Sequence, residues 1–225
     1  GAEPGDQFGK SLALVPYRPS GATAATDSVL AVGAPGEALN VDGVSKAGAG
    51  EVLTFDVTAA GTYSQMNAYW SGTSSDAVPG TAEAGDHFGQ TLAAVNTAPR
   101  EVSTAATMKL AVGIHDEAIG TTAGAGAITT FSLLGSPGTN NRWIEAGTSG
   151  IPGPAGANQH LGQSIRYTGT KLYVGMPYGP GSYGTVYALP MSNVTAGGSN
   201  AAITTYAPGQ GGLPAAGGRF GYAVR

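Results

Sequence analysis

Few residues in this chain could do chemistry. There are three histidines and no cysteine, so disulfides, thiolate nucleophiles and cysteine-ligated zinc are excluded. His115 stands in the run His115-Asp116-Glu117, whose imidazole and carboxylates could hold a metal ion given one further ligand. Adjacent residues at a strand end point in different directions, so the expectation is a solvated charged loop and no metal. His87 and His160 each precede a recurring Phe-Gly or Leu-Gly, which reads as repeat structure rather than as a catalytic base. There is no Gly-x-Ser-x-Gly elbow. Gly48-Ala49-Gly50 and Gly124-Ala125-Gly126 run on into strand-like segments, not helices, so neither is a phosphate-binding loop. No catalytic residue, no cofactor and no enzymatic activity are expected.

The remaining polar candidates sit in loops. Asp6 and Asp86 lie two residues before Phe8 and Phe88, and Asn158 or Gln159 takes that place before Leu161. A short polar side chain there suits an Asx-type cap on backbone amides. Residues 36–47 carry Glu37, Asn40, Asp42 and Lys46. Residues 71–85, 148–159 and 208–218 are long and rich in Gly, Pro, Ser and Ala, a length at which loops are often functional. Trp70, Trp143, Tyr69 and Tyr206 lie in or near short strand-like runs, where flat rings either pack between elements or serve as contact anchors. The first of these is the expectation. Asn193-Val194-Thr195 matches a glycosylation sequon at no more than chance frequency.

The elements that must position these residues are short. The 225 residues include 38 glycines and 14 prolines, yet 41% are hydrophobic and they cluster, so a core can be buried. Only 11% are charged, well under the ~25% of an average soluble domain, which argues against solvated helices. A net charge of −4 offers no basic footprint for nucleic acid. No apolar run approaches the ~18 residues of a spanning helix, and residues 1–5 lack the basic and apolar regions of a signal peptide.

The sequence repeats itself. Phe8-Gly9-Lys10-Ser11-Leu12-Ala13 returns as Phe88-Gly89-Gln90-Thr91-Leu92-Ala93, as Leu161-Gly162-Gln163-Ser164-Ile165 and as Phe220-Gly221-Tyr222-Ala223-Val224. A second element reads Val32-Gly33-Ala34-Pro35, then Val112-Gly113-Ile114-His115, then Val174-Gly175-Met176-Pro177. A third opens on Gly48-Ala49-Gly50, Gly124-Ala125-Gly126 and Gly181-Ser182-Tyr183-Gly184, and a weaker fourth covers 63–70, 141–146 and 202–206. Each is short, β-branched or aromatic, and bounded by turn residues, which is the pattern of a strand. The spacing predicts strands over 8–15, 28–34, 51–57 and 62–70, with counterparts near 88–95 and 161–167. The glycine before Ala-Pro would admit a close neighbour or a bulge, and the proline ends the strand.

Phe-Gly followed by Val-Gly-Ala-Pro resembles the FG-GAP repeat, the blade of integrin alpha-subunit propellers and of many secreted bacterial proteins. Phe8, Gly9, Gly33, Ala34 and Pro35 match best, while Ile114-His115 and Leu161 depart from it. The resemblance covers almost the whole chain. It implies an all-β fold, a β-propeller of four-stranded antiparallel blades at 5–84, 85–157 and 158–217, with 218–225 opening the next blade of a probable seven-bladed ring. The remaining blades would come from another segment or chain, and residues 1–225 alone would be unstable or would associate. Arg225 suits a trypsin-like cleavage.

In this family a carboxylate loop between the first two strands binds calcium. Here the corresponding segments hold only Asp27 and Glu101, so calcium is not expected in them. The resemblance implies that loops joining strands two and three share a face with loops joining blades, and that this face binds partners. The expectation is a non-catalytic extracellular or cell-surface module that recognises a protein or carbohydrate, with Glu37, Asp42, His115, Asp116 and Tyr178 as ligand-binding residues. No contact with nucleic acid and no membrane insertion are expected. The alternative is a lectin-like targeting segment of a secreted hydrolase or toxin assembly whose catalytic part lies elsewhere.

Overall fold

The computed structural model describes residues 3–215 and 217–224; Arg225 lies outside them. Three four-stranded antiparallel meanders account for most of the strand content. The first comprises β1 (Ser11–Tyr17), β2 (Asp27–Ala34), β5 (Glu51–Val57) and β6 (Tyr63–Tyr69), with the hairpin β3 (Leu39–Val41) and β4 (Val44–Lys46) set into the connection after β2. A short parallel pair, β7 (Ser71–Gly72) and β8 (Val78–Pro79), follows it. The second sheet is β9 (Thr91–Asn96), β10 (Met108–Ile114), β11 (Ala127–Ser132) and β12 (Arg142–Ile144). The third is β13 (Ser164–Tyr167), β14 (Lys171–Met176), β15 (Thr185–Pro190) and β16 (Thr204–Tyr206). Among the described residues the only helical segment is a 3-10 turn at Met191–Asn193.

The chain is therefore all-β, and the first sheet carries the four expected strands within a few residues of their expected bounds. The consistent departure is at the first strand of each sheet, which begins about three residues late. Phe-Gly is not the start of a strand. Gln7, His87, His160 and Arg219 have φ of 56, 56, 53 and 62°, and Gly9, Gly89, Gly162 and Gly221 have φ of 88, 90, 87 and 87°. Each motif is thus a turn with left-handed backbone on either side of its aromatic or leucine residue, a conformation that breaks a ladder.

The sheets pack face to face. One core joins Val29, Ala31, Val52 and Tyr69 of the first sheet to Leu110, Val112 and Phe131 of the second and to Phe88 in the turn before β9. Another joins Ala111, Ile128 and Ile144 of the second to Ile165, Leu172, Val174 and Tyr187 of the third. Sheet two is enclosed on both sides, and every residue of β11 is buried. Tyr69 shows the expected fate of the aromatics: its ring packs 4.9 Å from Phe131, and its hydroxyl donates to Leu133 O at 3.3 Å.

One contact recurs where each sheet meets the Phe-Gly or Leu-Gly turn that follows it, twice between neighbouring sheets and once between sheet three and the turn at Gly221. Ser11 Oγ donates to Gly89 O at 2.6 Å, Thr91 Oγ1 to Gly162 O at 2.8 Å and Ser164 Oγ to Gly221 O at 2.7 Å. The glycine of the second element faces the same carbonyl. A Cβ added to Gly33 would stand 2.1 Å from Gly89 O, one on Gly113 2.4 Å from Gly162 O, and one on Gly175 1.9 Å from Gly221 O. Close approach, not a bulge, is what these glycines supply: the pairing of β2 with β5 runs through Gly33 without a shift.

Candidate functional site

The turn before each first strand is built from a repeated cap. Asp6 Oδ2 accepts from Glu3 N at 2.5 Å, Asp86 Oδ2 from Glu83 N at 2.6 Å and Gln159 Oε1 from Gly156 N at 3.0 Å. These are capping roles, and Gln159, not Asn158, fills the third. The capped amide lies three residues upstream. Burial pushes the Asp86 carboxyl up to about 6, partly offset by the Glu83 amide that donates to it.

The cap delivers the next residue, in left-handed backbone, to the end of the sheets where the loops after β2, β10 and β14 emerge. At the junction of sheets two and three this brings all three histidines of the chain to one carboxylate. His87 Nδ1 is 2.7 Å from Asp116 Oδ2, His115 Nε2 is 3.3 Å from the same oxygen, and His160 Nδ1 is 3.2 Å from Asp116 Oδ1. Only the first has hydrogen-bond geometry. Nδ1 of His115 and Nδ1 of His160 are buried without a hydrogen-bond partner. The His115 and His160 rings lie 5.4 Å apart. Tyr178 sets its ring 5.2 Å from His160, and the Arg219 guanidinium lies 5.3 Å over that tyrosine.

His115 is 9% exposed, and burial lowers its pKa against the opposing pull of Asp116, which favours the neutral imidazole. Glu117 is also buried and its carboxyl is pushed up to about 8, first by burial and then by Asp86, Glu83 and Glu145. It therefore adds little charge beside Asp116 at neutral pH.

The expectation that His115 and Asp116 point apart does not hold. β10 ends at Ile114, and both residues lie past it in the turn, where the alternation of a pleated strand no longer applies. Of the five expected ligand-binding residues, His115, Asp116 and Tyr178 belong to one cluster. Glu37 stands apart near Asp6, its pKa raised by burial and by that carboxylate. Asp42 lies in the β3–β4 turn at φ 51°, beside a cleft of about 430 Å³ lined by Leu39, Glu51, Trp70 and Thr73. His87 and His160 are the two members that sequence reasoning passed over. Their equivalent place in successive repeats was the available signal, since equivalent positions on neighbouring sheets must be close in space.

Asn193 of the sequon is fully buried and donates to Ser149 O and Ala201 O, both at 2.8 Å, which makes it a structural residue. Asp27, at the start of β2, accepts from Thr26 Oγ1 at 3.1 Å. No helix among the described residues is long and apolar enough to cross a membrane. No protein-family model matches the chain, and no curated protein matches its sequence.

Proposed function

We propose that the chain is a segment of an FG-GAP-type β-propeller, its three sheets being blades, and that it serves as a non-catalytic extracellular binding module. It recognises a protein or a glycan through the face on which the strand two-to-three loops and the blade-to-blade loops emerge. The supporting observation is the convergence of His87 and His160, from blade-to-blade loops, with Asp116 and Tyr178, from two-to-three loops, at one end of the sheets. Loops pooled from neighbouring repeats build a composite surface that no single repeat offers. The same contact at both junctions between sheets, repeated by the third sheet against the turn at Gly221, supports the blade assignment.

Two multiple-alanine variants test this reading. One replaces Glu37, Asp42, Asp116 and Tyr178; the other replaces exposed polar residues of 18–26 and 98–107 at the opposite end. Both are assayed on a glycan array and in a cell-surface pull-down. Binding is expected to fall on the order of tenfold or more in the first only, since a lost anchor contact costs about 1–3 kcal/mol. Loss confined to the second variant, or equal in both, overturns the assignment.

A further inference from the structure

We propose that His115, His160 and Asp116 form a binding site for a divalent late first-row transition-metal cation of the zinc class, with His87 holding the Asp116 carboxylate in place. The inference stands independently of the propeller and binding-module reading.

Geometry carries it. The three residues offer one ligand atom apiece, all within 4.8 Å of one another. Metal–ligand bonds of about 2.0–2.1 Å put tetrahedral ligand atoms roughly 3.3 Å apart. His115 Nε2 lies 3.3 Å from Asp116 Oδ2 and His160 Nδ1 3.2 Å from Asp116 Oδ1, each close to that edge length but on the two different oxygens of the carboxylate. Neither contact is a hydrogen bond, and His160 Nδ1 is a buried nitrogen with nothing to satisfy it. A cation between these atoms would satisfy both the nitrogen and the carboxylate. Burial keeps unpartnered polar atoms rare, so an orphaned imidazole nitrogen aimed at a carboxylate points to an absent third party.

The donor set selects the ion. Two imidazoles and one carboxylate suit zinc, copper, nickel or cobalt, whereas calcium and magnesium take oxygen. Neutral imidazole is the ligating form. The support is built in. His160 is tied at its backbone by a hydrogen bond from its N to Gly124 O at 3.0 Å, and His87 by one to Gly48 O at 3.0 Å. His87 Nδ1 holds the Asp116 carboxylate by a hydrogen bond from outside the coordination sphere, as ligating carboxylates are held in metal sites. Three protein ligands leave a coordination position for water or an incoming donor. Because His115 follows β10 and His160 precedes β13, the ion would also join sheets two and three.

The test uses the untagged chain stripped with EDTA and titrated with zinc chloride in a calorimeter, then with cobalt chloride in a spectrophotometer. One equivalent of zinc is expected, together with visible cobalt d–d absorption and a rise in thermal midpoint, because a ligand that binds only the folded state stabilises it. His160→Asn keeps a residue tolerant of left-handed backbone, and Asp116→Asn keeps an acceptor for His87. Each is expected to weaken zinc binding on the order of 100-fold or more, and His87→Asn roughly tenfold. Thermal unfolding of each variant in EDTA, expected to match the parent, separates lost binding from lost folding. No stoichiometric uptake by the parent, undiminished uptake by both Asp116→Asn and His160→Asn when folded, or calcium bound in preference to zinc overturns the proposal.

Discussion

The junction between sheets one and two and the junction between sheets two and three share one framework and differ in what stands at its mouth. Both have a glycine facing a glycine carbonyl and a hydroxyl donating to that carbonyl. In sheet one the second element continues Ala34-Pro35-Gly36; in sheet two it continues Ile114-His115-Asp116. Gly36 cannot be replaced in its own setting, since a Cβ there would stand 1.8 Å from Gly5 O. Asp116 takes the equivalent place and projects its carboxylate toward the turn residues His87 and His160. A repeat thus acts as a fixed frame in which His115 and Asp116, in place of Pro35 and Gly36, meet the turn histidines His87 and His160 to create a polar site at one junction.

The sharpest way to break the equivalence of the repeats is at their shared aromatic. Phe88 is fully buried between two sheets, whereas Phe8 is 59% exposed and meets only Phe55 edge-on at 6.5 Å among the aromatics. Phe88→Ala is expected to cost about 3–5 kcal/mol and Phe8→Ala less than about 1 kcal/mol, measured by urea denaturation. Similar losses would mean that the face of the first sheet is covered in solution.

The shared frame is tested next. Gly113→Ala drives a methyl toward Gly162 O and Thr91 Oγ1 and is expected to cost about 2–3 kcal/mol. Gly169→Ala, with nothing within 4 Å, is expected to be neutral within about 0.5 kcal/mol. The same denaturation series checks both, and a tolerated Gly113→Ala would show that the sheets can slide apart without penalty.

The smallest effect sharpens the capping comparison. Asp86 has a folded pKa raised to about 6 from 3.8, so the folded state binds the proton more tightly than the unfolded one. Its contribution favours folding fully below about 4 and is lost as pH rises through about 6. Asp86→Asn keeps an acceptor for the Glu83 amide and removes the titration. In metal-free buffer the variant should gain on the order of 1–2 kcal/mol relative to the parent between pH 4 and 8. Parallel stability–pH curves for the two proteins would contradict this assignment of the burial cost.

Much of the fold was legible because repetition is a strong signal. Three ordered copies of the same strand-like runs placed the three meanders, and the glycine of the second element was read as a point of close approach or a bulge, of which the structure shows the first. The Phe-Gly turns were misread as strand because Phe and the following Leu-Ala run have strand composition, while the left-handed φ of His87 and His160 leaves no mark on residue type. The candidate site was half legible. His115, Asp116 and Tyr178 stood out as loop residues; Glu37 and Asp42, with the same composition signal, stand apart from the cluster.

By itself the sequence determined the periodicity and the β class, and it marked glycines that admit either a close neighbour or a bulge, because these depend on local residue type and on glycine's missing Cβ. Only the tertiary structure decided that Phe88 is buried while Phe8 is exposed, since burial belongs to the neighbour and not to the motif. It alone decided that three histidines meet one carboxylate. Their separation along the chain says nothing about distance until stacked sheets and left-handed turns bring the ends of two repeats to within hydrogen-bonding range.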